Sequence, residues 1–585
     1  MFFYRILKYI RYRIDRIFNK GLLHQLIVLI IIILSILLIV SLFMKLAFNY
    51  PIFDAFWDSL MQFIDTGNIS AAESERGVNG IVITFLAVTF FGVCGWGLLI
   101  AMINNSLQER IKNLTEGNAF IMERNHSIIL GYGEEVLTII DEFIKGRAKK
   151  IVLLSEYDHN TIKKRISFLK NYKKSNIIIR QGNPSIYENL LLLNIEKATS
   201  ISIVNDNDTE SLKILLSLKR IMEESNHKYK VKIDICVLVN KKESIEIISS
   251  INDTNFFNIH IIYKYEILYK LIGQSIIYTG LSSIYEELFD IKGIDIEIIY
   301  NHNIDNMSFK ELSLKYIDKN KILLGLVKKE AELTSLYIPD VDYRIKKDDE
   351  LVVLFRNGND DDIIDITNHI DDNISYNHNV LIILENNKEN EIMKEIHEYV
   401  EDKSITKVYY SDIIQQEYKK EFIEKKIEDN KITKIVLISE TMETDIEAIN
   451  LLVIIRRIVK DKYNIPILSL INSIENRNLV YSDDIRDFIV SGKLIGTLMA
   501  TSSKDSNLLY IFNDLLTKNG SDIIMIPYSK YFGENNEMSF LDIYNYLLNK
   551  KKIAIGLKEQ STVILNPHSD KKVNNSYEII IITDE

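Results

Sequence analysis

The sequence predicts a two-span α-helical membrane domain with a re-entrant helix between the spans. Two tandem α/β Rossmann-like domains follow, each with a small αβ C-lobe. Three observations predict this. Two apolar runs of about 23 residues lie within the first ~105 residues, each long enough to cross ~30 Å of hydrocarbon. A strand, a Gly-x-Gly turn and a helical pattern begin at Ser127. Beyond that, segments recur at nearly constant spacing, the mark of a duplicated unit. At 585 residues the chain has room for several domains.

Composition narrows the function classes. Hydrophobic residues make up 47% and charged residues 26%, enough to bury a large core. The net charge of -11 argues against nucleic acid as a partner, since such binders carry a basic field. Two cysteines, Cys94 and Cys236, exclude a disulfide scaffold and a Cys-based zinc cluster.

Residues 1–21 form a basic N-terminus. Arg5, Lys8, Arg11, Arg13, Arg16 and Lys20 face only Asp15, which places this end in the cytoplasm. Residues 22–104 form the membrane domain. The first span, 26–48, carries one charge, Lys45, and the second, 81–103, carries none. Both termini are then cytoplasmic. Between the spans, Pro51 to Ile64 reads PIFDAFWDSLMQFI, with a proline suited to a helix start and apolar residues at helical spacing. At ~1.5 Å per residue, a helix over 52–64 is too short to cross a bilayer. The turn Asp65-Thr66-Gly67-Asn68 follows directly. Span, short helix, polar turn and span are the layout of a tetrameric cation-channel pore, and residues 65–68 are the candidate selectivity filter. Irregular backbone at membrane depth must line water or be buried in protein. There it offers carbonyls and a carboxylate to an ion. The turn is not TVGYG, so a potassium cage of four carbonyl rings is not expected. Four copies of Asp65 would form an acidic ring favouring cations. Gly92, Gly95 and Gly97 cluster within the second span as a candidate gating hinge, with close helix packing as the alternative.

Residues 105–124 read as a linker. Over 125–290, Ser127-Ile-Ile-Leu130 is a strand, Gly131-Tyr-Gly133 the turn, and Ile151 to Leu154 a second strand ending at Ser155-Glu156. This is a dinucleotide-binding arrangement with its third glycine replaced by Val136. Gly131, Gly133, Glu156 and Asn205 are the candidate nucleotide contacts. His126 reads as structural. Residues 291–357 form the first C-lobe and 358–378 an acidic solvated linker. Residues 379–500 and 501–585 repeat the pair. Met307-Ser308-Phe309 returns as Met538-Ser539-Phe540, 231 residues on, and Gly325 returns as Gly556 at the same interval. The second copy has Glu385-Asn386-Asn387 where the first has its glycines, so it is not expected to hold a dinucleotide.

The stretch from Phe63-Ile-Asp-Thr-Gly-Asn68 through the second span to Glu123-Arg-Asn-His126-Ser-Ile-Ile-Leu-Gly131 resembles the Castor and Pollux ion channels of plants and their bacterial relatives. The tandem copies resemble RCK domains, regulators of potassium conductance. The resemblance implies a homotetrameric cation channel whose eight RCK lobes form a gating ring beneath the pore. It also implies conduction of monovalent cations, K+ above all, with Ca2+ as a further permeant candidate. The candidate regulatory ligands are Ca2+ and an adenine (di)nucleotide, with no cofactor certain and no metal site identified. With two spans instead of the plant pattern's four, the expected setting is the lipid of a bacterial plasma (inner) membrane. Two alternatives are a K+-selective RCK channel, opposed by the filter sequence, and a membrane-anchored dinucleotide-binding regulator of ion transport. No catalytic His/Asp or Cys/His constellation stands out, so an enzyme is not expected.

Overall fold

The computed structural model describes residues 22–65, 80–115 and 120–584, except 147–149, 170–171, 173–175, 226–231, 252–255, 290–293, 301–303, 305, 330–333, 357–363, 366–377, 386–388, 464, 474, 477–487, 518–519, 534–535 and 560–561. The chain divides into two compact units, Met1–Ala119 and Phe120–Glu585.

The first unit contains helices α1 (Leu22–Phe48), α2 (Ile52–Ile64) and α3 (Gly80–Thr115). The membrane-length windows of α1 and α3 have mean hydropathies of 3.5 and 2.2, and only 17% of each is buried within the unit. Their apolar side chains therefore point outward, as lipid requires. Within α1 the hydroxyls of Ser35 and Ser41 donate to the carbonyls of Ile31 and Leu37, both at 2.7 Å. That satisfies two polar groups inside an apolar run. Pro51 precedes α2, and Asp54 in its first turn complements the helix dipole. Ala55 of α2 packs with Met44 of α1 and Phe85 of α3 in a small core. Helix α3 does not stop at Ile103, where the apolar run ends. It continues to Thr115 through residues read as linker.

The second unit opens with strands β1 (His126–Gly131), β2 (Ile151–Ser155), β3 (Ile177–Gln181), β4 (Ala198–Val204), β5 (Ile233–Val239) and β6 (Phe257–Tyr263). They form one parallel sheet in the order β3-β2-β1-β4-β5-β6. This is the doubly wound dinucleotide-binding order. Ile128, Ile129 and Leu130 are wholly buried, as expected of a central parallel strand covered by helices on both faces. The covering and connecting helices include α4 (Glu134–Lys145), α5 (His159–Ile166), α6 (Asp208–Glu224) and α7 (Lys264–Ile277). Strands β7 (Ile294–Ile299), β8 (Lys321–Lys329), β9 (Thr334–Tyr337) and β10 (Leu351–Arg356) then form an antiparallel sheet ordered β7-β10-β8-β9.

Among the described residues, the second copy has no counterpart of β3, the outermost strand of the first. After β11 (Ile364–Asp365) come β12 (Val380–Leu384), β13 (Ile405–Tyr409), β14 (Lys434–Ile438), β15 (Ile467–Ile471) and β16 (Phe488–Val490). Strands β12 to β16 are parallel in the order β13-β12-β14-β15-β16. Its helices include α8 (Glu389–His397), α9 (Met442–Lys462) and α10 (Ser491–Lys504). The last lobe contributes β17 (Asp522–Pro527), β18 (Met538–Ser539), β19 (Lys552–Glu559), β20 (Thr562–Leu565), β21 (Lys572–Val573) and β22 (Tyr577–Thr583). Its main sheet, β11-β20-β19-β22-β17, read from β17, repeats β7-β10-β8-β9 and adds β11 at the edge. The acidic segment 358–378, read as a solvated linker, thus supplies a strand. Ile364 pairs with Val563 and Asp365 with Thr562, because the edge of β20 offers backbone groups that need partners. Of the rest of that segment, only His378 lies among the described residues.

The duplication extends to details. Ser308 and Ser539 cap the helices that follow them, accepting from Glu311 and Asp542 amides. A Cβ on Gly325 would lie 2.4 Å from the Tyr337 carbonyl oxygen, and one on Gly556 2.7 Å from that of Ile564. The two copies exchange helices: α4 packs on α10, and α7 on α8. Glycines permit the approach, since a Cβ on Gly496 would lie 2.7 Å from the Glu135 carbonyl oxygen.

Candidate functional site

In the first unit, α2 is held by contacts with Tyr50 and with α3. The Tyr50 hydroxyl donates to Asp58 at 2.6 Å. Thr89 of α3 donates to the buried Gln62 side chain at 3.3 Å. Phe63 packs against α3, where a Cβ on Gly92 would meet its carbonyl oxygen at 2.5 Å and one on Gly95 its ring at 2.8 Å. Gly97 has nothing within 4 Å. Helix α3 runs unbroken through all three glycines. Gly92 and Gly95 thus act as seats for α2, the small-residue packing common in membranes. Asp65 closes α2, its amide donating to the Met61 carbonyl at 2.9 Å, and its side chain is exposed. Thr66, Gly67 and Asn68 lie outside the described residues.

In the second unit a cavity of about 460 Å³ opens at the C-terminal edge of the first sheet. It lies where β1 and β4 run side by side and their helices depart to opposite faces, the crevice in which such sheets bind ligands. Gly131 adopts φ +98°, with the Val204 carbonyl and the Asn205 side chain pressed against it, so a side chain there has no room. Gly133 begins α4 and lines the cavity. Asn205 is not among the lining residues, and its backbone carbonyl accepts from the Asn240 side chain at 3.0 Å. Glu156 is exposed and is not on the cavity wall; its neighbour Tyr157 is. Of the four candidate nucleotide contacts, therefore, only Gly133 faces the cavity.

Other lining groups were not evident from motif reading. Glu134 and Glu135 occupy the first turn of α4, and buried Glu135 pairs with Lys264 of α7 at 2.9 Å. Burial alone would lower the Lys264 pKa, but Glu135 outweighs it and holds the ammonium above its ordinary value. Arg165 of α5 donates to the Tyr132 hydroxyl at 3.0 Å and to Glu475 of the second copy at 3.3 Å, with Glu134 at 3.7 Å. Burial pushes the Glu134 carboxyl up, against the opposing pull of Ser473 and Arg165. Asp206 stands at the rim, open to water on one side. Crowding on the other side and then the Glu135 charge push its pKa up, while Lys264 draws it down. Glu440, Thr441 and Asn472 of the second copy close the far wall.

A matched pair of clamps also escaped the motif reading. Asp208 accepts the amides of Asn240 and Lys241 at 3.0 and 2.9 Å. Asp445 accepts those of Asn472 and Ser473 at 3.0 and 3.1 Å. Their signal is an Asp shortly after one strand and an Asn directly after the next, present in both copies. His126 is buried, with Nε2 3.0 Å from the Leu193 carbonyl, in a structural role. Among the described residues no group of three or more His, Cys, Asp or Glu side chains could hold a metal ion.

Two membrane-length helices in one unit and tandem Rossmann lobes with small αβ lobes in the other give the chain a membrane-type helical unit and the fold of an RCK gating ring. The chain is 21% identical to the ion channel DMI1 of Medicago truncatula over 614 residues, covering 90% of this chain and 67% of that one. It is 21% identical to the ion channel POLLUX of Lotus japonicus, covering 90% of this chain and 64% of that one. The chain thus spans about two thirds of the length of these relatives. In structure it is similar to the human SLO3 gating ring, with a TM-score of 0.54 and 14% identity, over 78% of this chain and 98% of that one. No family model matches the chain.

Proposed function

We propose that the chain is one subunit of a homotetrameric cation channel of a bacterial inner membrane, with both termini cytoplasmic. RCK lobes gate it, and it conducts monovalent cations with K+ foremost. It acts as a conductor of ions and not as an enzyme. The observation that carries this reading is the seating of α2: a helix too short to cross is pinned to α3 at Gly92 and Gly95 and ends at Asp65 between two membrane-length helices. A four-fold axis would bring four Asp65 carboxylates together as a ring attracting cations. The turn 65–68 would then serve as the filter. The test is single-channel recording of the purified protein in bilayers with K+, Na+ and Ca2+ gradients, alongside native mass measurement. Cation-selective unitary currents from a tetramer are expected. A stable monomer without cation current would overturn the reading.

A further inference from the structure

The doubly wound sheet implies a dinucleotide, and the residues at the crevice do not fit one. In such sites the pyrophosphate sits against the glycine turn, at the positive N-terminus of the following helix. Here that seat is taken by the protein's own anion. The Glu135 carboxylate folds back over Gly133, with Oε2 only 2.6 Å from where a Cβ would stand, and Lys264 neutralises it at 2.9 Å. Glu134 places a second carboxylate in the same turn. Val136, in place of the third glycine, is wholly buried in the core.

The remaining wall suits the opposite charge. Four carboxylates, Glu134, Glu135, Asp206 and Glu440, face two bases, Arg165 and Lys264. Both bases are already committed, Lys264 to Glu135 and Arg165 to Glu134 and Glu475. The Asp206 carboxylate has no ion pair among the described residues. Three tyrosine rings, Tyr132, Tyr157 and Tyr265, complete the lining, the first two with centroids 4.8 Å apart. Aromatic faces and carboxylates together are the surroundings an organic ammonium or guanidinium prefers. At about 460 Å³ the cavity falls within the range for small ligands. The carboxylates do not converge as a coordination shell for a bare metal ion.

We propose that the cavity between the two copies binds a small organic cation bearing ammonium or guanidinium groups, in place of a dinucleotide. The cation lies between Asp206, Glu134 and the tyrosine pair, with Glu440 facing it from the second copy. Because both copies contribute wall, occupancy draws them together. This goes beyond the channel reading and is tested without current measurement, so the two can fail separately.

The experiment is calorimetric titration of the full-length protein in detergent with spermidine, agmatine, NAD+, ADP and Ca2+ in turn. Spermidine or agmatine is expected to bind, with affinity reduced tenfold or more in Asp206→Asn and in Glu134→Gln and weakened by added salt. Tyr157→Ala, at an exposed ring, should weaken it as well without risk to the core. NAD+ and ADP are expected not to bind. The proposal is overturned if neither amine binds at millimolar concentration, or if amine binding is indifferent to all three substitutions. NAD+ or ADP binding that Gly133→Val removes would overturn it too, as would Ca2+ binding that depends on Asp206 and Glu134.

Discussion

Gly92 and Phe63 approach so closely that a single added methyl carbon on the glycine would lie 2.5 Å from the phenylalanine's carbonyl oxygen. Backbone meets backbone here, so no side-chain rotation relieves the contact. Overpacking of this kind costs about 1–3 kcal/mol or forces the elements apart. Gly92→Val is expected to shift α2 and to reduce unitary current severalfold. Gly97→Ala, with open space around it, should leave current near the native level. Single-channel recording of the two variants distinguishes a packing seat from a hinge, since a hinge at Gly97 would make that variant alter open probability.

Asp65 ends α2 with its backbone already bonded and its carboxylate exposed. Asp65→Asn is expected to lower cation conductance and weaken preference over anions, because a carboxylate ring partly replaces an ion's lost water. Asp65→Lys should stop cation flow. Normal cation current through the Lys variant would place the filter elsewhere.

Lys434 is wholly buried in β14, yet its ammonium donates to the carbonyls of Ser275 and Ile276 and to the Thr279 hydroxyl, at 2.5, 2.9 and 3.1 Å. A cation at the C-terminus of α7 satisfies carbonyls that the helix leaves open. Lys434→Met removes the donor and buries the acceptors, at a cost of about 3 kcal/mol. The expected readouts are a lowered melting temperature and faster amide exchange at the end of α7. Unchanged exchange there would show that the contact holds nothing.

Burial holds the His126 pKa below its ordinary value, against the pull of the Leu193 carbonyl and Glu123 and with a small push from Lys150. The folded protein therefore resists protonation that the unfolded chain accepts. Below the unfolded value of about 6.5 the unfolded state binds more protons, and stability falls as pH falls. Above it the effect vanishes. Denaturation curves between pH 7.5 and pH 5 (~0.5-unit steps) should show a decline that is shallower in His126→Gln. An equally steep decline in the variant would assign the pH dependence to other groups.

Much of the fold was legible because it is written locally. Strand β1 is an unbroken apolar run flanked by a turn signal, and burial on both faces of a parallel sheet demands such a run. The duplication was legible at Phe309 and Phe540, and at Gly325 and Gly556, where caps and close strand contacts constrain identity. The end of α3 was not, since an apolar run records where a helix leaves lipid, and Gln108-Glu109-Arg110 are good helix formers in water. The cavity was legible only at Gly133. Its charged groups pair across long separations, as with Glu135 and Lys264, and no local pattern says which helices will meet.

The helix exchange between α4 and α10 and between α7 and α8 also sets a stoichiometry. Two identical lobes meeting about a two-fold axis would be obliged to offer two identical crevices. Fused in one chain, the halves are released from that obligation, and mutations can accumulate on one side alone. Only the first half has the Gly-x-Gly turn, while the second supplies a wall to its partner's crevice through Glu440, Thr441 and Asn472. A closed ring built from this chain would therefore count signals by subunit and not by lobe, with one crevice for each chain.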